Sequence, residues 1–261
     1  MRYIDVHAHV FPDNVAPKVV SQLENYYKMH WLGNGLVSDL IASMDEAQID
    51  RTVIFSTATK AAQVETINNY ISGLCKECDR FIGFGTMHPD YPDIEKEISR
   101  FRELGLRGLK LHPDFQQFNI DDPEMYRIYK AVGSSMPILI HLGDENFDYS
   151  SPLRLAKVMD DIPELIFIGA HLGGYCRWQD AEKYLFGRRN LYLDVSSCFH
   201  KIPHSEGRRM IRLHGADRVL FASDYPAVRG ANAIEDVLKM ELTEDEKELI
   251  FHRNAEKLLG I

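Results

Sequence analysis

Two histidines, His7 and His9, stand one residue apart at the end of a short apolar run, MRYIDVHAHVFP. On an extended strand, residues i and i+2 share a face. Asp5, His7 and His9 therefore point one way, and Ile4, Val6 and Ala8 the other. The Cα atoms of the two histidines would lie about 6.6 Å apart. Two imidazoles leaning across that gap suit one ion bound at about 2.0–2.1 Å from each nitrogen. Similar groups close other apolar runs. His141 ends ILIHL, His171 ends IFIGAH ahead of two glycines, and Asp224 ends VLFASD. Three imidazoles and a carboxylate form a borderline-hard donor set that suits Zn²⁺, and also Fe²⁺ or Mn²⁺.

Such groups can meet only if the elements carrying them converge. Eight β-type runs recur, at 3–10, 51–57, 80–87, 106–112, 136–142, 165–171, 191–197 and 218–224. Helical patterns separate them. The run 93–105 sets Ile94, Ile98, Phe101 and Leu104 on one stripe and closes on Gly105. The runs 38–48, 150–161 and 243–260 are also helical, with Ser38 as a cap, an early proline in the second, and a Thr243–Glu246 capping box in the third. Strands rich in Val, Ile and Leu that alternate with helices argue an α/β fold with a parallel sheet covered on both sides. Eight such units predict a (β/α)8 TIM barrel, a single domain spanning 1–261. In that fold the C-terminal strand ends share one face, so the apolar set of the first strand meets the helices and the histidines line the interior. The long irregular stretches 11–37, 143–150 and 225–233 all follow strands, where active-site loops belong.

Composition sets further bounds. Of 261 residues, 45% are hydrophobic and 26% charged, and 30 basic against 39 acidic residues leave a net charge of −9. That surface repels phosphate backbones, so a nucleic-acid partner is not expected. No run reaches the roughly 18 apolar residues of a membrane span. No apolar stretch with a small-residue cleavage site follows Arg2, so no signal peptide is expected. Cys75, Cys78, Cys176 and Cys198 read as reduced thiols of a cytoplasmic protein, and Cys75–Cys78 as two helix residues one turn apart.

Lys110 and His112 alternate on the fourth strand and share its inward face, whereas Leu109 and Leu111 face the helices. A lysine inside a barrel must be paired or modified. Its candidate roles are an ion pair with Asp5 or Asp194, a grip on a substrate carboxylate, or a carbamate bridging two ions. His88 and His112 each precede a proline and can orient a turn. His30, His200, His204, His214 and His252 read as surface residues, with His200 and His204 in reach of substrate from the seventh loop. Arg177 and Arg229 follow the sixth and eighth strands, and Lys60 the second. An arginine fork there suits a substrate carboxylate. Phe147, Tyr149, Tyr175 and Trp178 suit a flat or apolar group.

The segments DVHAHVFP, GLKLHP, IHLGD, AHLGGY, ASDYP and the closing NAEKLLGI resemble the metal-dependent amidohydrolase superfamily. They are most similar to its amidohydrolase-2 branch, which includes aminocarboxymuconate semialdehyde decarboxylase and resorcylate-type decarboxylases. The resemblance covers nearly the whole chain. It implies a distorted barrel, with a metal held by His7, His9, His141 and Asp224. It implies that His171 serves the substrate or the metal's water. The branch is mostly mononuclear, which implies one ion, Zn²⁺ first, with no second metal. Association through barrel helices in that branch implies a homodimer. TatD-type nucleases open similarly, but they usually carry a fourth-strand glutamate and a late TD where this chain has GLKLHP and ASDYP. PHP phosphoesterases need more ligands than can be placed.

Two reactions on a small molecule fit these residues. The first is hydrolysis of an amide or ester by a metal-activated water, with Asp224 taking its proton and His171 steadying the developing oxyanion. The alternative is non-oxidative decarboxylation of a small, flat carboxylic acid, with Lys110, His112, Arg177 and Arg229 as substrate-binding candidates. A barrel that binds a ligand without turnover would have no open coordination position.

Overall fold

The computed structural model describes residues 1–261. The strands are β1 Ile4–His9, β2 Arg51–Phe55, β3 Phe81–Thr86, β4 Gly108–Leu111, β5 Ile138–Ile140, β6 Phe167–Gly169, β7 Leu191–Asp194 and β8 Val219–Leu220. Each pairs in parallel with the next in strict chain order. β8 returns to β1 through Val6 N–H to the Phe221 carbonyl at 3.0 Å and Asp224 N–H to the His7 carbonyl at 2.8 Å. The architecture is the expected single-domain (β/α)8 barrel. No helix is long and apolar enough to cross a membrane.

Two apolar layers follow from strand alternation. Ile4, Val6, Val53, Phe55, Ile82, Phe84, Leu139, Ile168, Tyr192 and Leu220 form one cluster drawn from seven strands, the barrel interior. Ala255 and Leu259 of the last helix join it. Ala8, Ile54, Leu109, Leu111, Ile138, Ile140, Phe167, Leu193 and Val219 pack outward with the helices. Ile4 and Val6 therefore face the interior rather than the helices, while Ala8 packs with the helices, so alternation breaks between Val6 and Ala8. The β1–β2 register shifts between Asp5 and Ala8. An extra residue at such a bulge lets neighbouring side chains face one side. Val6 and His7 both reach the interior, and Ala8 returns to the helix side. The Asp5 carboxylate accepts the His7 and Ser223 N–H groups, each at 3.0 Å, and so ties the bulge to the loop after β8.

The helices follow the predicted stripes, with local differences. Ile94–Leu104 buries Ile94, Ile98 and Phe101 and ends on Gly105 at φ 72°. The helix predicted to start on Ser38 spans Val37–Ala47 after Leu36, without a side-chain cap. The Thr243–Glu246 capping box forms. The run behind it is interrupted by a π-helical turn, Leu249–Arg253. Within that turn the Ile250 carbonyl accepts the Phe221 N–H at 2.8 Å, so the wider turn extends hydrogen bonding past β8. His214, expected at the surface, is buried, with its Nε2–H donated to the Leu191 carbonyl at 3.1 Å.

Candidate active site

Three of the groups lie beyond their strands. His141, His171 and Asp224 lie one, two and four residues past β5, β6 and β8. There the ladder ends and the backbone turns into the left-handed region, at φ 57° for His171 and 62° for Asp224. Non-glycine residues hold such angles only where surrounding bonds impose them.

His7, His9 and Asp224 meet at the rim. His7 Nε2 lies 3.2 Å from His9 Nε2 and 3.2 Å from Asp224 Oδ1, and His9 Nε2 lies 3.5 Å from the same oxygen. Around an ion with bonds of about 2.0–2.1 Å, neighbouring tetrahedral ligands stand about 3.4 Å apart. The three atoms match that spacing. His7 Nδ1 donates to Asp194 Oδ2 at 2.8 Å, which turns the Nε2 lone pair toward the rim, where Lys110 Nζ also reaches it at 3.3 Å. Burial pulls the His7 pKa down and Lys110 pulls it further, but Asp194 and Asp224 outweigh both, and the net shift is upward. Burial lowers His9 to about 4, so it stays neutral. Burial raises the Asp224 pKa, but His7, His9 and His171 outweigh it and hold the carboxylate ionised.

His141 stands outside that triad and faces it through His171. Its Nε2–H donates to the Gly143 carbonyl at 2.9 Å, which leaves Nδ1 bare. His171 Nδ1 donates to the Ser196 carbonyl at 3.1 Å, which leaves its Nε2 bare. The two bare nitrogens are 3.0 Å apart. Facing lone pairs repel unless a proton or a cation serves them. Burial holds the pKa of both rings down, so an extra proton is not retained at neutral pH and neither nitrogen has a donor. A second set, His112, Asp114 and His141, also gathers within 4.8 Å. There His112 stacks on His141 at 4.0 Å and 10°. The lone pairs of stacked rings run parallel and do not converge on one ion, and His141 Nε2 is spent on Gly143.

The remaining candidates separate. Lys110 is fully buried, with Nζ 3.3 Å from His7 Nε2 and 4.8 Å over the Phe55 ring. Burial lowers its pKa to about 8. The expected ion pair with Asp5 or Asp194 does not form, because Asp5 is taken by Ser223 and Asp194 by His7. His112 offers Nε2 to the Tyr27 hydroxyl at 3.4 Å, and its Nδ1 has no partner. Arg177 donates from Nε to the Asp144 carbonyl at 3.2 Å, at the mouth. Arg229 is held away by Asp39 at 2.7 Å and Glu46 at 3.4 Å. Lys60 and Phe147 are exposed.

Sequence reasoning missed two features. The sequence offers Asp194 only as a partner for Lys110, although it sits at an inward position of LYLDVSS with Ser196 two residues on. The aromatic cap was seen in part. Tyr27 comes from the helix Ala16–Tyr27, and its ring centroid lies 5.8 Å from that of Tyr175 and 6.0 Å from that of Phe115. Tyr175 stands 5.8 Å from His171, and Phe55 flanks His7 and His9 at 5.2 and 4.8 Å.

Several solved structures share this barrel. The 5-carboxyvanillate decarboxylase of Sphingomonas paucimobilis superposes with a TM-score of 0.76 at 19% identity, over 100% of this chain and 99% of that one. An uncharacterised TIM-barrel protein of Bordetella bronchiseptica gives 0.82 at 20%, over 100% and 99%. A dihydroxybenzoic acid decarboxylase of a Polaromonas species, solved with manganese and the inhibitor 2-nitroresorcinol, gives 0.75 at 16%, over 99% and 97%. No curated protein matches the chain in sequence. At these identities the structural likeness speaks for the fold. The amidohydrolase family model matches residues 4–261, nearly the whole chain, and the chain belongs to that family.

Proposed function

We propose that the protein is a metal-dependent, non-oxidative decarboxylase of a small aromatic carboxylic acid. The observation that carries this reading is a lysine without a carboxylate partner, Lys110, fully buried against the Phe55 ring, in a barrel whose loops also bring Tyr27, Phe115 and Tyr175 together. A flat ring suits the cap, and an anionic carboxylate suits the lysine. Two similar barrels are named as decarboxylases of aromatic acids, which supports this reading over hydrolysis, the reaction the residues alone put first.

His7 Nε2, His9 Nε2 and Asp224, which gather at the rim, would hold one divalent ion, and the bare Nδ1 of His141, which stands outside that triad, would have to turn toward them to join. When bound, it supplies a Lewis acid that polarises substrate oxygens. Manganese is the first choice, from the Polaromonas enzyme, and zinc, which the donor types first suggested, is the second. Lys110 pairs with the substrate carboxylate in surroundings that exclude water, where an ion pair is stronger than in solvent. The bond from ring carbon to carboxylate carbon breaks, its electron pair stays on the ring, and that carbon takes a proton. Asp224, a strong acid here, readily gives up any proton it accepts, and His171 lies on the same side. His112 and Arg177 line the approach. Hydrolysis keeps one argument: Asp224 is 16% exposed, within reach of a water at the rim.

The test is the metal-loaded protein on two panels, hydroxylated benzoates and small amides and esters. Release of CO₂ or bicarbonate from the first, with nothing from the second, is the expected result. Carboxylate production from the second panel alone would overturn the proposal.

A further inference from the structure

The structure assigns Asp194 as a positioning residue that sets the proton placement of His7 and the backbone placement of His171 together. Asp194 is fully buried at the end of β7. Oδ2 accepts His7 Nδ1–H at 2.8 Å. Oδ1 accepts the His171 backbone N–H at 3.0 Å, the Ser196 backbone N–H at 3.0 Å and the Ser196 hydroxyl at 2.5 Å. No lysine or arginine approaches it within ion-pairing distance; His7 is its only basic contact.

Each bond constrains a different feature. An ionised carboxylate can only accept, so His7 must place its proton on Nδ1 and leave Nε2 bare toward His9 and Asp224. A carboxylate behind an imidazole also raises the basicity of the far nitrogen. The bond to the His171 amide anchors a left-handed residue at φ 57°, followed by Leu172 at 51°, a conformation of order 1–3 kcal/mol above the ordinary wells. Ser196 completes the link. Its hydroxyl hydrogen is committed to Asp194, so its oxygen accepts, 3.1 Å from His171 Nδ1. The Ser196 carbonyl accepts at that same nitrogen. Both keep the His171 proton on Nδ1 and its Nε2 bare toward His141. One carboxylate therefore prepares electron pairs on rings from β1 and the β6 loop.

The affinity readout of this inference rests on the metal-site reading, not on which reaction the site performs. The first experiment needs no variant. Two-bond ¹H–¹⁵N spectra of histidine-labelled, chelator-stripped protein, recorded at a pH above the raised His7 pKa where the ring is neutral, should show His7 and His171 as Nδ1–H tautomers, with peaks assigned by His7→Gln and His171→Gln. A His7 carrying its proton on Nε2 overturns the proposal. The second is Asp194→Asn, whose amide can turn an N–H toward His7. It should move the His7 proton to Nε2 and weaken manganese binding about 10–100-fold. Ser196→Ala removes the hydroxyl that is bonded to Asp194 and lies 3.5 Å from His7 Nδ1, but it keeps the Asp194 carboxylate behind His7, so it should weaken manganese binding less than Asp194→Asn does. A folded Asp194→Asn protein with wild-type tautomers and affinity refutes the assignment, whether or not decarboxylation is ever observed.

Discussion

Replacing Lys110 with methionine should stabilise the metal-free protein while abolishing turnover. The lysine is fully buried, and no carboxylate lies within ion-pairing distance. Burial lowers its pKa from 10.5 to about 8. The unfolded chain thus binds this proton more tightly than the folded one, so stability is lost at low pH and recovered as pH rises from 8 toward 10.5. At about 1.4 kcal/mol per pKa unit, carrying the charge at pH 7 costs the fold about 3 kcal/mol. Contact with the Phe55 ring at 4.8 Å returns about 1 kcal/mol. Methionine keeps most of the stem and removes the charge, so the expected gain is about 2 kcal/mol, a rise of about 4–8 °C in Tm for a chain of this size. Urea melts of chelator-stripped protein at pH 7 and pH 9.5 measure it, and the advantage should shrink by roughly a third to a half at the higher pH. Manganese affinity should not fall, because the ammonium supplies no lone pair to an ion. A variant less stable than wild type at pH 7, or a gap indifferent to pH, would show that Lys110 is paired or modified and refute the reasoning.

Four other outcomes are expected. His7→Ala should strip most bound metal by elemental analysis, whereas His171→Ala should keep it and lose about 100-fold or more in kcat. His214 is buried with a pKa lowered to about 4, chiefly by burial. The unfolded chain therefore binds more protons below pH 6.5, and lowering the pH from 7.5 to 5 should cost about 2 kcal/mol through this ring, a loss absent from urea melts of His214→Gln. Gly143→Ala should lose about 2 kcal/mol or more, because φ is +82° and the new Cβ would meet the Tyr175 backbone; activity should fall with it, since the Gly143 carbonyl holds His141. Tyr27→Ala should raise KM for an aromatic acid more than it lowers kcat, and equal kinetics with wild type would remove Tyr27 from the cap.

Much of the fold and part of the site are written in local pattern. All eight strands lie where period and β-branching place them, because a strand's burial is encoded in its own residues. Parallel strands joined in chain order put their C-terminal ends on one face, and that alone sends His7, His9 and Asp224 to a common rim. What local pattern does not carry is who arrives opposite. The pattern alone put Ile4, Val6 and Ala8 together against the helices, but Ile4 and Val6 face inward, and a bulge tied down by Ser223 lets His7 join them while Ala8 turns outward. Arg229 looked free for a substrate until Asp39, 190 residues away, took its guanidinium. The His7 proton is directed by Asp194, 187 residues away, and Lys110 lost both predicted partners to closer neighbours. Side-chain direction is a short-range property of the backbone and can be read along the chain. Charge, tautomer and free lone pairs depend on groups within about 3 Å in space, and only the closed barrel brings those groups together.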